Sequence, residues 1–92
     1  RISLRMYKEG KKVEEIAKDR AMAVATIESH LSHYIPTGEV NILDFLSKDD
    51  LEEIKNEHKQ IDDYSLTSLK QHFGERFSYG QLRMAVAWLQ RQ

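Results

Sequence analysis

The stretch at residues 13–35 constrains the fold of this chain more than any other part of it. Apolar residues recur there at three- or four-residue spacing, from Val13 to Ile16 and Ala17 and then from Ile27 to Leu31, which is the period of an amphipathic α-helix. Two short apolar stripes of this kind must bury each other. The pattern therefore predicts two helices joined by a tight turn.

This helix pair carries residue types at positions that resemble the helix-turn-helix of LuxR-type regulators. The matching residues are Ile16-Ala17, Thr26-Ile27 and His30-Leu31. The small Ala17 lies where the two helices would cross, so it lets their backbones approach. The resemblance implies a helix-turn-helix core in which His30 is a packing and hydrogen-bonding position.

The length of the chain, 92 residues, fits one small domain. Helical apolar spacing continues to the C-terminus, so we expect an all-α fold of five to six helices built on the helix-turn-helix core. Residues 1–36 form a three-helix motif, in which Gly10 ends the first helix, and residues 37–92 form a C-terminal helical extension. Because the chain begins with Arg1 rather than Met, we expect a fragment of a longer protein.

Capping residues and glycines predict the helix boundaries of the extension. Asn41 precedes either one short helix or a brief extended piece, of which we favour the helix. Ser47 begins a longer helix whose acidic outer face we interpret as solvated. Gly74 ends the following helix, and the last helix starts at Ser78.

Composition and spacing exclude several classes of site. Cys is absent, so there is no disulfide framework and no thiolate metal site. His30 and His33 lie three residues apart, but no third ligand stands at a suggestive spacing, and we expect no metal site. We find no catalytic or cofactor-binding residues, and no apolar run approaches the roughly 20 residues of a membrane span.

Charge is distributed unevenly along the chain, although the net charge is only -1. Residues 1–36 sum to +2, residues 37–63 to -6 and residues 64–92 to +3. The chain thus lacks the strongly basic balance that is typical of nucleic-acid-binding domains. If DNA is a partner, it meets the two ends of the chain and avoids the acidic middle.

The outward face of the second motif helix is where a helix-turn-helix domain reads DNA. The residues expected on that face are Val24, Ala25, Glu28, Ser29 and Ser32. Arg, Lys, Asn and Gln, which pair bidentately with bases, are absent from it, so we expect little sequence-specific reading. The candidate DNA contacts are hydroxyl, imidazole and basic groups, namely Lys11, Lys12, Lys18, Arg20, Ser29, Ser32, His33 and Arg83.

The whole layout resembles the helix-turn-helix domain at the C-terminal end of some bacterial RecQ-family DNA helicases. The residues that carry this resemblance are Glu15-Ile16-Ala17, Thr26-Ile27-x-x-His30-Leu31, Gly38, Leu69-Lys70 and Ser78-Tyr79-Gly80-Gln81-Leu82-Arg83-x-x-x-Ala87. It implies an accessory module of an ATP-dependent helicase of DNA repair or recombination in the bacterial cytoplasm, contributing weak, mostly sequence-independent DNA binding. ATP and Mg²⁺ would belong to a motor elsewhere in the parent chain, since no G-x-x-x-x-G-K-[ST] phosphate loop occurs here.

Two other functions remain open on these residues. A protein-interaction or spacer module, contacting other domains of the same helicase or a separate protein, would fit the near-neutral charge and the plain outward face. A transcription regulator would fit the motif, but it would need the base-reading side chains that are missing.

Overall fold

Six α-helices make up the computed structural model, which describes residues 1–61 and 65–91. They are α1 (Ile2–Lys8), α2 (Val13–Arg20), α3 (Val24–Ser32), α4 (Lys48–Gln60), α5 (Leu66–Phe73) and α6 (Tyr79–Arg91). No strand occurs in the described ranges, so the predicted all-α class is confirmed. None of these described helices is long and apolar enough to cross a membrane. Residues 62–64 and residue 92 lie outside the described part.

Helix α1 ends at the predicted glycine. Gly10 has a φ of +95°, a left-handed conformation that glycine adopts without steric cost. The amide of Gly10 donates to the carbonyl of Tyr7 at 2.9 Å, and the amide of Lys11 donates to the carbonyl of Met6 at 3.1 Å. This pair of bonds is a Schellman motif, and it turns the chain into α2.

Helix α2 ends in the same motif without a glycine. Ala21 has a φ of +54°, its amide donates to the carbonyl of Lys18 at 3.2 Å, and the amide of Met22 donates to the carbonyl of Ala17 at 2.9 Å. A left-handed Ala costs about 1–2 kcal/mol. The packing of α2 against α3 therefore holds the turn of the helix-turn-helix motif against local strain.

Side-chain caps begin the helical elements of the extension. The Asn41 carboxamide caps a short 3₁₀ helix at Ile42–Asp44, which confirms the favoured helix in this connector. Ser47 and Ser65 cap α4 and α5 by accepting backbone amide hydrogens. Ser78 and Gln81 form a reciprocal capping box at α6, with bonds of 3.1 and 2.9 Å.

One hydrophobic core joins the two halves of the chain. Ile27 and Leu31 of α3 are fully buried, as the sequence predicts, and so are Leu82 and Met84 of α6. Helix α6 packs against α3, α4 and α5 and so lies at the centre. Each fully buried side chain of this size stabilises the fold by about 1.5–3 kcal/mol, so the motif and the extension stabilise each other.

The acidic face of α4 is exposed to solvent, as predicted, and part of it also forms ion pairs with the connection between α5 and α6. Arg76, in the 3₁₀ helix Gly74–Arg76, donates to the two carboxylate oxygens of Glu53 at 2.7 and 2.8 Å and to Asp50 at 3.3 Å. The hydrogen bond from Arg76 lowers the pKa of Glu53 below its ordinary value. The guanidinium also lies 4.9 Å from the centre of the Phe77 ring. The α5–α6 connection is thereby held against α4.

Candidate nucleic-acid interface

Helix α6 covers one side of α3. The exposed fractions of Glu28 and Ser32 are 9% and 5%, so the prediction that both point outward was wrong. Glu28 packs against Gly80, where a Cβ would lie 2.8 Å from the Cβ of Glu28 and closer still to its carboxyl group. Ser32 donates its hydroxyl hydrogen to the carbonyl of Ser29 at 2.7 Å. Ser32 is therefore removed from the surface that DNA could reach.

Two contacts relate α6 to α3 and to the segment that follows α3. Glu28, the fifth residue of α3, faces Gly80, the second residue of α6. Beyond the end of α3, a Cβ placed on Gly38 would lie 3.5 Å from a guanidinium nitrogen of Arg91 near the end of α6. The first turn of α3 lies N-terminal to the contact with Gly80, and its residues 24–26 are exposed.

The open part of α3 comprises this first turn and one strip farther along the helix. Val24, Ala25 and Thr26 are exposed, Ser29 is half-buried, and His33 is exposed just after the helix ends. Methyl groups can contact the thymine methyl group, and hydroxyls can donate to bases or phosphates, but none of these groups pairs bidentately with a base. The open part can contact DNA while discriminating little among sequences.

The predicted basic contacts differ in how available they are. Lys12, Lys18 and Arg83 are exposed, and Lys18 stands in the last turn of α2, just before the turn that leads to α3. Lys11 is held by Asp19, with 2.7 Å between the ammonium and the carboxylate. This hydrogen bond raises the pKa of Lys11 above its ordinary value. Among the described residues, Lys18 is therefore a cation without an ion pair that the chain order places just before the open turn of α3.

The helical arrangement agrees with a comparison against protein families. A family model described as "Helix-turn-helix domain" matches residues 1–86. The chain belongs to this helix-turn-helix family. No curated protein and no solved structure matches it. The match includes α1 to α5 and most of α6, so the helix-turn-helix family covers the extension as well as the motif.

Arg20 has a structural partner inside the helix-turn-helix domain. Its guanidinium donates to the hydroxyl of Ser3 at 2.7 Å, and that hydroxyl lies 3.1 Å from Nδ1 of His30. Ser3 is only 1% exposed, so the network ties α1, α2 and α3 together beneath the surface. His30 thus has the hydrogen-bonding position that the LuxR resemblance implied, and Arg20 is only half-exposed.

The helix-turn-helix domain contains a cleft that was not predicted from the sequence. It has a volume of about 570 Å³ and lies between the loop after α1, the start of α2, Glu28 of α3, the 3₁₀ helix Ile42–Asp44 and the start of α6. Burial raises the pKa of the Glu28 carboxyl, and the nearby charge of Glu14 raises it further. The sequence signal that could have indicated this contact is Gly80, because glycine inside a helix costs about 0.5–1 kcal/mol relative to Ala.

The structure offers no further grouping of ligand side chains. In the described residues, no set of three or more His, Cys, Asp or Glu residues lies close enough to hold a metal ion. The functional surfaces to consider are therefore the open part of α3 and the cleft beside Glu28.

Proposed function

We propose that this domain binds DNA weakly and with little sequence preference, through the open first turn of α3 and Lys18 beside it. The observation that carries the proposal is that α6 covers the far side of α3 and leaves residues 24–26 exposed. The family match supports the same surface, because the second helix of DNA-binding helix-turn-helix motifs enters the major groove with its N-terminal residues at the base edges.

The chemistry of the proposed contact follows from the side chains present. Lys18 neutralises a phosphate, and Lys12 offers a second ammonium at the start of α2. The hydroxyls of Thr26 and Ser29 donate to phosphate oxygens, while Val24 meets base edges through methyl groups alone. Because each neutralised phosphate contributes about -0.9 to the slope of log affinity against log salt, two such contacts give a shallow salt dependence.

We further propose that the domain is an accessory part of a RecQ-type, ATP-dependent DNA helicase of the bacterial cytoplasm, with ATP hydrolysis carried out by another part of the parent chain. The support is the resemblance described above. Its most distinctive motif has a structural explanation here, since Ser78 and Gln81 cap α6 and Gly80 admits Glu28. The test is DNA-stimulated ATP hydrolysis by the purified parent protein. A parent protein without ATPase activity would contradict this assignment.

Fluorescence anisotropy of labelled single-stranded, duplex and forked DNA at two salt concentrations tests the DNA contact. We expect Lys18→Glu to weaken binding about ten- to thirtyfold at low salt, since it replaces one phosphate attraction by a repulsion, each on the order of 1 kcal/mol in water. Lys48→Glu makes the same charge change on α4 and is the matched control. Equal losses in the two variants, or no binding at high micromolar protein, would overturn the proposed surface.

A protein-interaction role is the second candidate, and the cleft beside Glu28 favours it. The cleft lies on the α6 side of α3, whereas the proposed DNA contact lies on its open first turn. The two proposed surfaces share Lys12, which lines the cleft, but Lys18 belongs only to the DNA contact and Glu28 only to the cleft, so variants of these two residues test the functions separately.

A further inference from the structure

The cleft beside Glu28 is lined by equal numbers of basic and acidic side chains. These are Lys8, Lys11, Lys12, Glu14, Glu28 and Asp44. These equal numbers do not mean that the charges of the lining cancel, because two of the ammonium groups pair with carboxylates outside the lining. Lys11 lies 2.7 Å from Asp19 and Lys8 lies 3.9 Å from Glu39. The lining is therefore richer in uncompensated carboxylate than in uncompensated ammonium.

Of the three carboxylates in the lining, Glu28 is the most buried. It is nine-tenths buried, and across residues 1–61 and 65–91 no protein group donates a hydrogen bond to it. The Glu28 oxygens still reach the solvent of the cleft, but burial of the rest of the side chain weakens the hydration of the carboxylate. A ligand with hydrogen-bond donors and positive charge would restore what burial removed.

The aromatic side chains that line the cleft favour a guanidinium ligand over an ammonium ligand. Phe45 and Tyr7 both line it, with ring centres 6.1 Å apart and planes inclined by 21°, and the Tyr7 hydroxyl donates to Asp44. A guanidinium group is planar, stacks on aromatic faces and pairs with a carboxylate through two parallel hydrogen bonds. An ammonium group has no plane to stack and makes no such fork.

We propose that this cleft binds the guanidinium group of an arginine side chain presented by a protein partner. Glu28 accepts the hydrogen bonds of the guanidinium, and Phe45 packs against its plane. The volume of about 570 Å³ falls within the range of about 300–1,000 Å³ of ligand pockets and has room for residues that flank the arginine. This function goes beyond DNA contact and requires none of the open surface of α3.

A titration followed by backbone amide NMR resonances tests the recognition of guanidinium. The probe is N-acetyl-L-arginine N-methylamide, and the matched control is the citrulline analogue, which has nearly the same shape and no charge. We expect saturable shifts at Glu28, Phe45 and Gly80 with the arginine probe and none with the citrulline analogue. Equal shifts with both probes, or shifts at these amides with inorganic phosphate alone, would overturn the proposal.

Variants of the chain test which side chain recognises the ligand. Glu28→Gln keeps the shape of the side chain and should weaken arginine binding by about tenfold or more, the usual effect of losing a charged hydrogen-bond partner. Glu52→Gln removes the same charge from the exposed face of α4 and should leave binding unchanged. The amide spectra of both variants show whether each is folded. A folded Glu28→Gln domain that binds the probe as before would refute the role of Glu28.

Two further measurements separate this inference from neighbouring ones. A pentapeptide with a central arginine should bind more tightly than free L-arginine, and the reverse order would assign the cleft to the free amino acid and overturn the protein partner. Glu28→Gln should leave DNA affinity within about twofold of the unchanged domain, so a failure of arginine binding does not decide the DNA proposal.

Discussion

The two sides of α3 differ in exposure, since one is buried against α6 and the other is open to solvent. One side meets α6 and buries Glu28 and Ser32, whereas the other leaves Val24 and Ala25 in solvent. In a three-helix motif alone, both sides would flank an open DNA-reading surface. The extension turns part of that surface into an interface, and it restricts any DNA contact to the first turn of α3. The difference shows that the extension determines how a helix-turn-helix motif can be used.

The two sides of α3 should also differ in how far a substitution alters the stability of the domain. The covered side belongs to the common core with Leu82 and Met84, so changes there should alter the free energy of unfolding. The open side contributes few buried contacts, so changes there should leave stability almost untouched. Variants chosen from the two sides therefore test whether this division is real.

The largest expected effect is at the core of α3. Leu31 is 0% exposed, so Leu31→Ala removes buried methyl groups and leaves a cavity, which costs about 2–5 kcal/mol. Val24→Ala is the control on the open side and should change stability by no more than about 0.5 kcal/mol. Urea unfolding measures both. A loss below about 1 kcal/mol for Leu31→Ala would contradict the assigned inner face.

The contact between α3 and α6 gives an effect of intermediate size. Gly80→Ala places a Cβ 2.8 Å from the Cβ of Glu28 and closer still to its carboxyl group, so the helices must separate or Glu28 must move, at a cost of about 1–3 kcal/mol. At a helix position without this contact, the same change would stabilise by about 0.5–1 kcal/mol. The sign of the change in thermal or urea unfolding thus decides whether Gly80 is needed for close approach. Gln90→Ala, at an exposed position of α6, should be nearly neutral.

Local features of the fold could be predicted from the sequence. Gly10 ends α1, Asn41 caps the 3₁₀ helix and Ser47 caps α4, and each of these outcomes depends on residues within a few positions along the chain. The inward positions Ile27 and Leu31 could also be predicted, because helical periodicity identifies the side of a helix that is apolar.

Contacts between distant segments could not be predicted in the same way. Glu28 and Gly80 are separated by most of the extension, and nothing in the periodicity of α3 indicates that a second helix covers its polar side. Arg76 likewise reaches back to Glu53 on α4. The prediction of the candidate site was the least accurate, because Ser32, Arg20 and Lys11 were expected to be exposed and are buried or paired in the fold. Local charge and spacing report which side chains can bind DNA but not which of them stay free.

The smallest expected effect concerns the charge on the covered side of α3. Burial, and then the charge of Glu14, raises the pKa of Glu28, so the folded domain holds a proton there over a pH interval in which the unfolded chain has released it. The free energy of unfolding therefore falls as pH rises from about 4 through the folded pKa of Glu28.

In Glu28→Gln this contribution is absent. We expect the difference in stability between the variant and the unchanged domain to shift in favour of the variant as pH rises across that interval. Urea unfolding at a series of pH values measures the difference, in which the opposing contribution of Glu53 cancels. The exposed-carboxylate control Glu52→Gln should show a flat difference. A flat difference for Glu28→Gln as well would mean that α6 leaves this carboxylate as well solvated as the open side of α3.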